Sequence, residues 1–349
     1  MKRFISFFLL IVLAAGILAV WLTFSSGTAF SEKTKYFIIE EGKTDKASVL
    51  NVLEKKYIIK QSLAFSLLAT QLHVWDKLKA GKYEVKQGEN LLQIARMLKN
   101  NHQAQINLVI NKLRVKEDLA KLISKNFASD SVTVMNFLSS PDSLKQYNVD
   151  TDNVFTMIIP DTYTFYWNTP LRKIFNKLFD AETNYWSRND RTKKAEAIGL
   201  TPVQVYILAS IVEEETNKDD DRAKIASVYL NRLNKNMPLQ ACPTIKFAMK
   251  DFLLTRIYDK YLSNPSPYNT YRNRGLPPGP ICTPSPKTID IVLNAPKTDY
   301  LFFVAKSDFS GYHHFSNNFA EHNQYAKEYQ KALDEYMIRK QQKELEQAP

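Results

Sequence analysis

The chain has 349 residues, of which 44% are hydrophobic and 12% aromatic, so it can bury the cores of two or three domains and is not a disordered chain. Its net charge of +11 suits nucleic acid, an anionic membrane surface or an acidic polymer. Two cysteines, Cys242 and Cys282, are too few for a zinc cluster built of thiolates.

An uncharged run near the N-terminus predicts a membrane span. Lys2 and Arg3 precede Phe4–Phe24, 21 residues that can cross a hydrocarbon core of about 30 Å as a helix. The leading positive charge predicts a cytoplasmic N-terminus. We expect a single-pass protein of the inner (cytoplasmic) membrane, with its body on the periplasmic or external side and no nucleic-acid partner. A cleaved signal peptide is the alternative, which the length of the run disfavours.

The polar residues 25–35 read as a tether, and three strand-then-helix stretches follow it. Residues 36–59 place a turn at Gly42. In residues 78–101 the alternating "GKYEV" predicts a strand, and Asn90 is placed to cap a helix. This second stretch resembles a LysM-like peptidoglycan-binding module. Residues 105–127 form the third stretch.

The aromatic segment "IIPDTYTFYWNTP", residues 158–170, is predicted either to stack on sugar rings or to be a packed strand edge. A helix is expected from about residue 170 to residue 186. The next helix is better marked. Thr201 and Gln204 fit a capping box around Pro202, and the helix predicted from them runs into Glu213–Glu215.

Helical geometry distinguishes the last of these three glutamates from the others. Residues three, four and seven positions before Glu215 are all aliphatic: Val212, Ile211 and Leu208. A carboxyl on this apolar stripe is desolvated, which raises its pKa toward the value that a general acid needs near neutral pH. The alternative is that the helix ends before Glu215 and all three carboxylates meet solvent.

Asp219–Asp221 are placed to cap a second helix, and two proline-rich loops follow it, "MPLQACPT" and "SPYNTYRNRGLPPGPICTPSP". Polar loops of this kind are typical of binding sites. Further on, "GYHHFSNNFAEHNQY" holds three of the five histidines, and "HHFSNN" reads as a loop. A metal site made of His313, His314, Glu321 and His322 is an alternative that the lack of a His-Glu-x-x-His helix disfavours.

These motifs carry a resemblance. The order "PDTY", "ASIVEEET", "ASVYLNRL", "MPLQACPT", "SPYNTY", "GLPPGPI", His-x-Phe and Glu-His-Asn resembles the YceG-like family of endolytic murein transglycosylases. It covers most of the chain and is dense over residues 200–325. The family usually has Asp in the segment where this chain has Cys242, which puts an acidic helper at that position in doubt.

The resemblance implies an α+β fold in four parts. These are a cytoplasmic tip, transmembrane helix and tether, a LysM-like subdomain, an α+β connecting subdomain, and a mixed α+β catalytic domain with a C-terminal helix (residues 1–30, 31–105, 106–157 and 158–349). It implies cleavage of the MurNAc–GlcNAc bond of nascent peptidoglycan glycan strands, leaving 1,6-anhydroMurNAc ends. Peptidoglycan synthases are expected partners, and no cofactor or metal is expected. A non-catalytic wall-binding anchor or scaffold is the alternative.

By the same resemblance, Glu215 is the general acid and then the base. Glu213 is either a second carboxylate at the site, a position for which Asp219–Asp221 are also candidates, or a side chain in a salt bridge or in solvent. His313 and His322 either hold the last loop or line the cleft. The side chains expected to contact sugar are Gln240, Thr244, Tyr268, Asn269 and Tyr271. Both proline-rich loops would border the cleft, so a disulfide between Cys242 and Cys282 is left open against two free thiols.

Overall fold

The computed structural model describes residues 7, 9, 10, 12, 13, 16, 17, 20, 21, 24–254 and 256–346. Within these residues the chain is mixed α+β, as predicted, with fourteen α-helices and six short strands paired into three two-stranded sheets. It divides into two compact units. The first unit comprises residues 1–108, 124–129 and 164–170, and the second unit comprises residues 109–123, 130–163 and 171–349.

The membrane span predicted over residues 4–24 falls largely on residues outside those that the structure describes. The described positions from 7 to 24 are helical and exposed, and the amide of Ser25 donates to the carbonyl of Trp21 at 2.9 Å. No single helix among the described residues is both long and apolar enough to cross a bilayer.

The first unit packs three helices against an antiparallel sheet. Alternation along the second strand turns Tyr83 and Val85 inward, and Tyr83 stacks on Phe37 of the first strand with ring centroids 5.6 Å apart. Asn90 caps the third helix through a capping box with Gln93, which confirms the predicted cap. The elements are β1 (Thr34–Ile39), α1 (Lys46–Lys55), α2 (Ser62–Gln71), β2 (Gly81–Lys86) and α3 (Leu91–Lys99), followed by the pair β3 (Gln105–Val109) and β4 (Thr162–Tyr166).

The start of the predicted tether is part of the first unit's fold. Ser26 bridges Asn90, and Thr28 bridges Ile59. The amide of Gly27 donates to the Glu89 carbonyl at 3.0 Å. A Cβ on Gly27 would lie 2.7 Å from a side-chain carbon of Leu91, so only glycine passes this close to α3. The chain therefore leaves the apolar N-terminal run and joins the fold within two residues.

The second unit is built around one buried helix. All residues of this helix from Val205 to Glu213 are buried, which is the pattern of a helix packed on every side. Thr201 and Gln204 form the predicted capping box. The buried core cluster contains residues of this helix and of the helices before and after it in the chain. The helix expected from about residue 170 to residue 186 is also present. The helices are α4 (Lys116–Asn126), α5 (Ser131–Ser139), α6 (Pro141–Leu144), α7 (Leu171–Ser187), α8 (Arg191–Ala197), α9 (Pro202–Glu215), α10 (Asp219–Asn234), α11 (Cys242–Ala248), α12 (Asp259–Leu262), α13 (Pro286–Leu293) and α14 (Phe319–Glu346), of which α4 extends into the first unit.

Three local predictions need correction. The segment "HHFSNN" is not a loop, because His313–Ser316 form β6, which pairs with β5 (Phe302–Ala305). The segment "QACPT" opens α11, where Pro243 sits in the first turn and suits a helix start. Asp219–Asp221 do not cap α10 from outside but fill its first turn, where they complement the helix dipole.

The aromatic segment around Pro160 is a packed strand. Tyr163 and Phe165 of β4 are buried, and the Tyr163 hydroxyl donates to the Ile159 carbonyl at 2.5 Å. Of the two interpretations left open for this segment, the structure favours packing over sugar stacking for these two rings.

The disulfide left open between Cys242 and Cys282 is not formed. Both cysteines are free thiols, the first exposed and the second buried. Cys242 Sγ lies 3.2 Å from the hydroxyl oxygen of Tyr271. Cys282 Sγ lies 3.5 Å from the Ser210 carbonyl, against the middle of α9. Each sulfur therefore packs against its own neighbours.

Candidate active site

Glu215 is the last residue of α9 and is partly buried. The hydroxyl of Tyr229, a fully buried residue of α10, donates a hydrogen bond to Glu215 Oε1 at 2.5 Å. Burial raises the pKa of Glu215 to about 7, although this bond and the charge of Lys246 act in the opposite direction. The carboxyl therefore exchanges its proton near neutral pH, as the apolar stripe on α9 predicted.

A cavity of about 290 Å³ opens beside this carboxyl. Among the described residues that line it, Glu215 is the one carboxylate. Three of the predicted substrate contacts, Gln240, Tyr271 and His322, lie on its wall. The remaining lining residues are Arg232, Leu239, Cys242 and Phe303.

Arg232 shapes this wall and was not identified from the sequence. Its guanidinium is largely buried, and its Nη1 donates to the Leu239 carbonyl at 2.8 Å and to Gln240 Oε1 at 3.2 Å. Its Nε donates to the Leu301 carbonyl at 2.7 Å. Gln240 itself has a φ of +54°, a left-handed conformation that these bonds help to hold. The only sequence signal was its position on the inner face of the helix that follows Glu215.

Thr244 and Asn269, also predicted to contact substrate, are fully buried. The Thr244 hydroxyl donates to the Ala241 carbonyl at 2.7 Å and lies 2.9 Å from the Thr270 hydroxyl. Asn269 Nδ2 donates to the carbonyl of Leu262 at 2.9 Å, and Asn269 Oδ1 accepts from the Tyr271 amide at 3.0 Å. These two side chains brace the loops that carry Gln240 and Tyr271, and they do not face the cavity.

Tyr268 is close in sequence to Tyr271, which lines the Glu215 cavity, but Tyr268 itself lines a different cavity. It packs on Phe247 with ring centroids 4.7 Å apart in a cavity of about 350 Å³ that also includes Arg114 and Lys250. The loop that follows is held tightly, since a Cβ on Gly279 would lie 2.1 Å from the Asp152 carbonyl oxygen. Tyr268 is therefore not brought together with Glu215.

The four residues of the alternative metal site point to different neighbours. His313 donates its backbone amide to Asp221 Oδ2 at 2.7 Å, and its Nδ1 lies 2.9 Å from the same oxygen. This pair ties β6 to α10. His314 stacks on Tyr325 with ring centroids 4.1 Å apart, and the Glu321 amide donates to Asn318 Oδ1 at 2.9 Å. Within the described residues no three His, Cys, Asp or Glu side chains are arranged to hold a metal ion.

His322 reaches the cavity from α14. Its ring stacks on Phe302 with centroids 5.2 Å apart, and its buried Nδ1 has no hydrogen-bond partner. Burial and the nearby charge of Arg232 lower its pKa. A neutral imidazole is therefore available at the cavity wall as a hydrogen-bonding group.

Glu213 turns away from this cavity and is used by the fold. Its carboxylate accepts hydrogen bonds from Ser285 Oγ at 3.1 Å and from the Thr288 hydroxyl, and Arg222 Nη2 lies 3.4 Å away. It also lies on the wall of a separate cavity of about 380 Å³ with Lys112. Of the two roles left open for Glu213, the structure favours the salt bridge.

Glu214 is held by two cations. Lys112 Nζ and Arg114 Nη2 each lie 3.0 Å from its carboxylate oxygens. Burial opposes ionisation, but these hydrogen bonds and charges more than offset it, so the pKa of Glu214 lies below its ordinary value. Three consecutive glutamates thus give two carboxyls paired with cations and one carboxyl with a raised pKa at a cavity.

Comparison with known proteins agrees with the motif order. The model of the YceG-like family matches residues 37–328. The endolytic murein transglycosylase of Bacillus subtilis strain 168 is 31% identical over 333 residues, which cover 85% of this chain and 83% of that protein. The endolytic murein transglycosylase of Streptococcus pneumoniae D39 is 29% identical over 306 residues, 78% of this chain. This chain spans only 54% of the streptococcal protein.

A solved structure has the same fold. The crystal structure of the YceG-like protein lmo1499 from Listeria monocytogenes superposes with a TM-score of 0.56 at 28% sequence identity. The match covers 84% of this chain and 99% of the Listeria chain.

Proposed function

The chain belongs to the YceG-like family, and we propose that it is an endolytic murein transglycosylase in which Glu215 is the single catalytic acid and base. The substrate is then a peptidoglycan glycan strand, cut within its length at a MurNAc–GlcNAc bond. One observation carries the assignment of Glu215. Its carboxyl has a raised pKa and lies on the wall of an open cavity.

The carboxylate count supports a lytic reaction over hydrolysis. A glycosidase that uses water needs a second carboxylate about 5–9.5 Å from the acid, as nucleophile or base. Here Glu213 and Glu214 are paired with cations, and no other described carboxylate lines the cavity. One group must therefore give and later take the proton.

The reaction fits the protonation state of Glu215. The protonated carboxyl donates to the glycosidic oxygen as the bond from MurNAc C1 breaks, and GlcNAc leaves with a free 4-hydroxyl. The carboxylate then accepts the proton of the MurNAc C6 hydroxyl as that oxygen attacks C1. A 1,6-anhydro ring closes, and Glu215 is protonated again. The buried hydroxyl of Tyr229 fixes the orientation of the carboxyl for both transfers.

We place the protein at the inner membrane, held by the apolar residues 4–24, with both compact units on the outer side. In this arrangement the first unit, through its LysM-like strand and helix pattern, contributes peptidoglycan binding. The second unit carries the reaction on nascent strands beside the peptidoglycan synthases. The wall polymer is anionic, which suits a chain of net charge +11.

Product analysis tests the proposal. Purified full-length protein is incubated with sacculi, and the soluble and insoluble glycans are digested and examined by mass spectrometry. New anhydroMurNAc ends within strands are the expected result. Reducing MurNAc ends would instead indicate a hydrolase, and an unchanged end-group pattern would favour the non-catalytic anchor. Dialysis against a chelator should leave the rate unchanged, and a loss restored by zinc would revive the histidine site.

A further inference from the structure

An apolar face on the first unit is left uncovered by the fold. Leu63 and Leu67 of α2 are 85% and 72% exposed. They are four residues apart, so they stand side by side on one face of the helix. Helix α2 carries no charged residue. Tyr57, in the turn before α2, is 70% exposed. Single exposed leucines are ordinary on protein surfaces, but two leucines and a tyrosine on one short segment call for a partner.

This face adjoins the point where the apolar N-terminal run meets the fold. The amide of Lys60, two residues before α2, donates to the Gly27 carbonyl at 2.9 Å. The amide of Ala29 donates to the Ile58 carbonyl at 3.1 Å. The uncharged run ends at Phe24, so at most two residues separate it from this pairing. The start of α2 is therefore tied to the chain within a few residues of the end of the run.

The charged residues near this apolar face indicate which kind of surface it contacts. Residues 54–60, "EKKYIIK", hold three lysines and one glutamate, and the lysines are exposed. Lys35 Nζ lies 6.0 Å from the centre of the Tyr57 ring. Leucine, tyrosine and lysine on one helix-bearing segment are the combination that enters the headgroup layer of a bilayer with anionic lipids.

We propose that the face formed by Leu63 and Leu67, together with Tyr57 and Lys60, lies in the headgroup layer of the membrane that holds the N-terminal run. The first unit is then docked on the bilayer, and its height above the membrane is fixed. This inference rests on the proposed membrane anchorage. It goes beyond the glycan cleavage, which it leaves unchanged.

The test uses the full chain in lipid nanodiscs that contain anionic lipid and lipid brominated near the top of the acyl chain. Cys242→Ser removes the exposed thiol, and an environment-sensitive fluorophore is attached through Leu67→Cys. The control carries the fluorophore at Lys43→Cys, in the turn after β1. The turn at Gly88, whose amide donates to Thr28 Oγ1 at 3.0 Å, lies by the N-terminal junction at the Thr34 end of β1. The turn that carries Lys43 follows the other end of β1, about 16 Å away along the strand.

Interfacial side chains lie about 5–10 Å into the headgroup and acyl boundary, so brominated lipid should remove most of the emission at position 67 and little at position 43. Leu63→Glu should abolish this difference without changing the melting temperature, because the side chain is 85% exposed. Leu253→Glu, at a position 90% exposed in the second unit, is the matched control and should leave the difference in quenching between positions 67 and 43 unchanged.

Equal quenching at both positions would overturn the proposal. Self-quenching at position 67 in lipid-free detergent would assign the face to a second copy of this chain instead, which also overturns it. Carbonate extraction is measured on the labelled samples, and glycan cleavage is measured on the chain that retains Cys242. A chain that stays in the membrane and cuts glycan, but shows no quenching, separates failure of this inference from failure of the proposed function.

Discussion

The end of α9 borders two regions with opposite electrostatics. On one side Glu213 and Glu214 meet Lys112, Arg114 and Arg222 in a network of ion pairs. On the other side Glu215 meets the Tyr229 hydroxyl at the wall of a cavity. The three carboxyls are consecutive in sequence, yet the pKa of Glu214 lies below its ordinary value and that of Glu215 lies above it.

The difference follows from helix geometry. Each step along a helix turns the side chain by about 100°, so neighbouring residues point into different surroundings. The ion-pair network gives Glu213 and Glu214 a cation each, and among the residues that the structure describes no cation lies within ion-pair distance of Glu215. A chain can thus keep an acid of raised pKa next to two carboxyls paired with cations, provided that the surroundings differ over a few ångströms.

The largest expected effect comes from removing the acid. Glu215→Gln keeps the shape and the acceptor for Tyr229 but has no proton to transfer, so glycan cleavage should fall by about 10²–10⁴-fold, the usual contribution of general acid catalysis. Glu214→Gln is the matched control and should retain most of the activity. The measurement is the rate of anhydroMurNAc release from sacculi. Equal losses in the two variants would mean that the two regions are not functionally distinct.

The next largest difference between the two regions should appear in the pH dependence of stability. Between the ordinary glutamate pKa of 4.5 and about 7, Glu215 holds a proton in the folded protein but not in the unfolded one. Its contribution to stability is therefore present below pH 4.5 and is lost as the pH rises through about 7. The loss is about 2–3 kcal/mol after allowance for partial exposure. Glu215→Gln should lack this loss.

The check is the melting temperature of the full chain in detergent across pH 4–9. The wild-type protein and Glu215→Gln should melt at similar temperatures near pH 4, and the variant should melt at the higher temperature above pH 7. Curves that stay parallel over the whole range would show that Glu215 is solvated like an ordinary surface glutamate.

Within the ion-pair network, Glu213 should matter more for stability than Glu214. Glu213→Gln removes one of the two carboxylates paired with the largely buried Arg222, leaving Asp219, and should cost about 1–3 kcal/mol of unfolding free energy. Lys112 and Arg114, the partners of Glu214, are 33% and 37% exposed in their side chains. Glu214→Gln should therefore cost about 1 kcal/mol or less. The measurement is denaturant unfolding of the two variants. If Glu213 were instead a substrate ligand, Glu213→Gln would lose less unfolding free energy than Glu214→Gln.

The sequence predicts some parts of this site and not others for physical reasons. Glu215 and the capping box of α9 follow from local spacing, because helix periodicity alone decides which residues share a face. Arg232 could not be found this way, since its partners Leu239 and Leu301 are fixed only by the tertiary fold. The resemblance implies that Thr244 and Asn269 contact sugar, but the tertiary fold buries both side chains, and their polar atoms brace the loops instead.

The smallest effect sharpens the role of Tyr229, which joins the cavity region to the core. Its hydrogen bond lowers the pKa of Glu215, so Tyr229→Phe should raise that pKa further above its ordinary value. A general acid is active while protonated, so kcat/KM falls as the pH rises through its pKa. In Tyr229→Phe this fall should move to higher pH by about one unit, the equivalent of one hydrogen bond of about 1 kcal/mol.

Tyr271→Phe is the control, because its hydroxyl contacts Cys242 and not Glu215. It should leave the midpoint of the fall unchanged even if it weakens binding. A shift in neither variant, with equal losses of rate, would reduce Tyr229 to a packing residue and leave burial alone to set the proton affinity of Glu215.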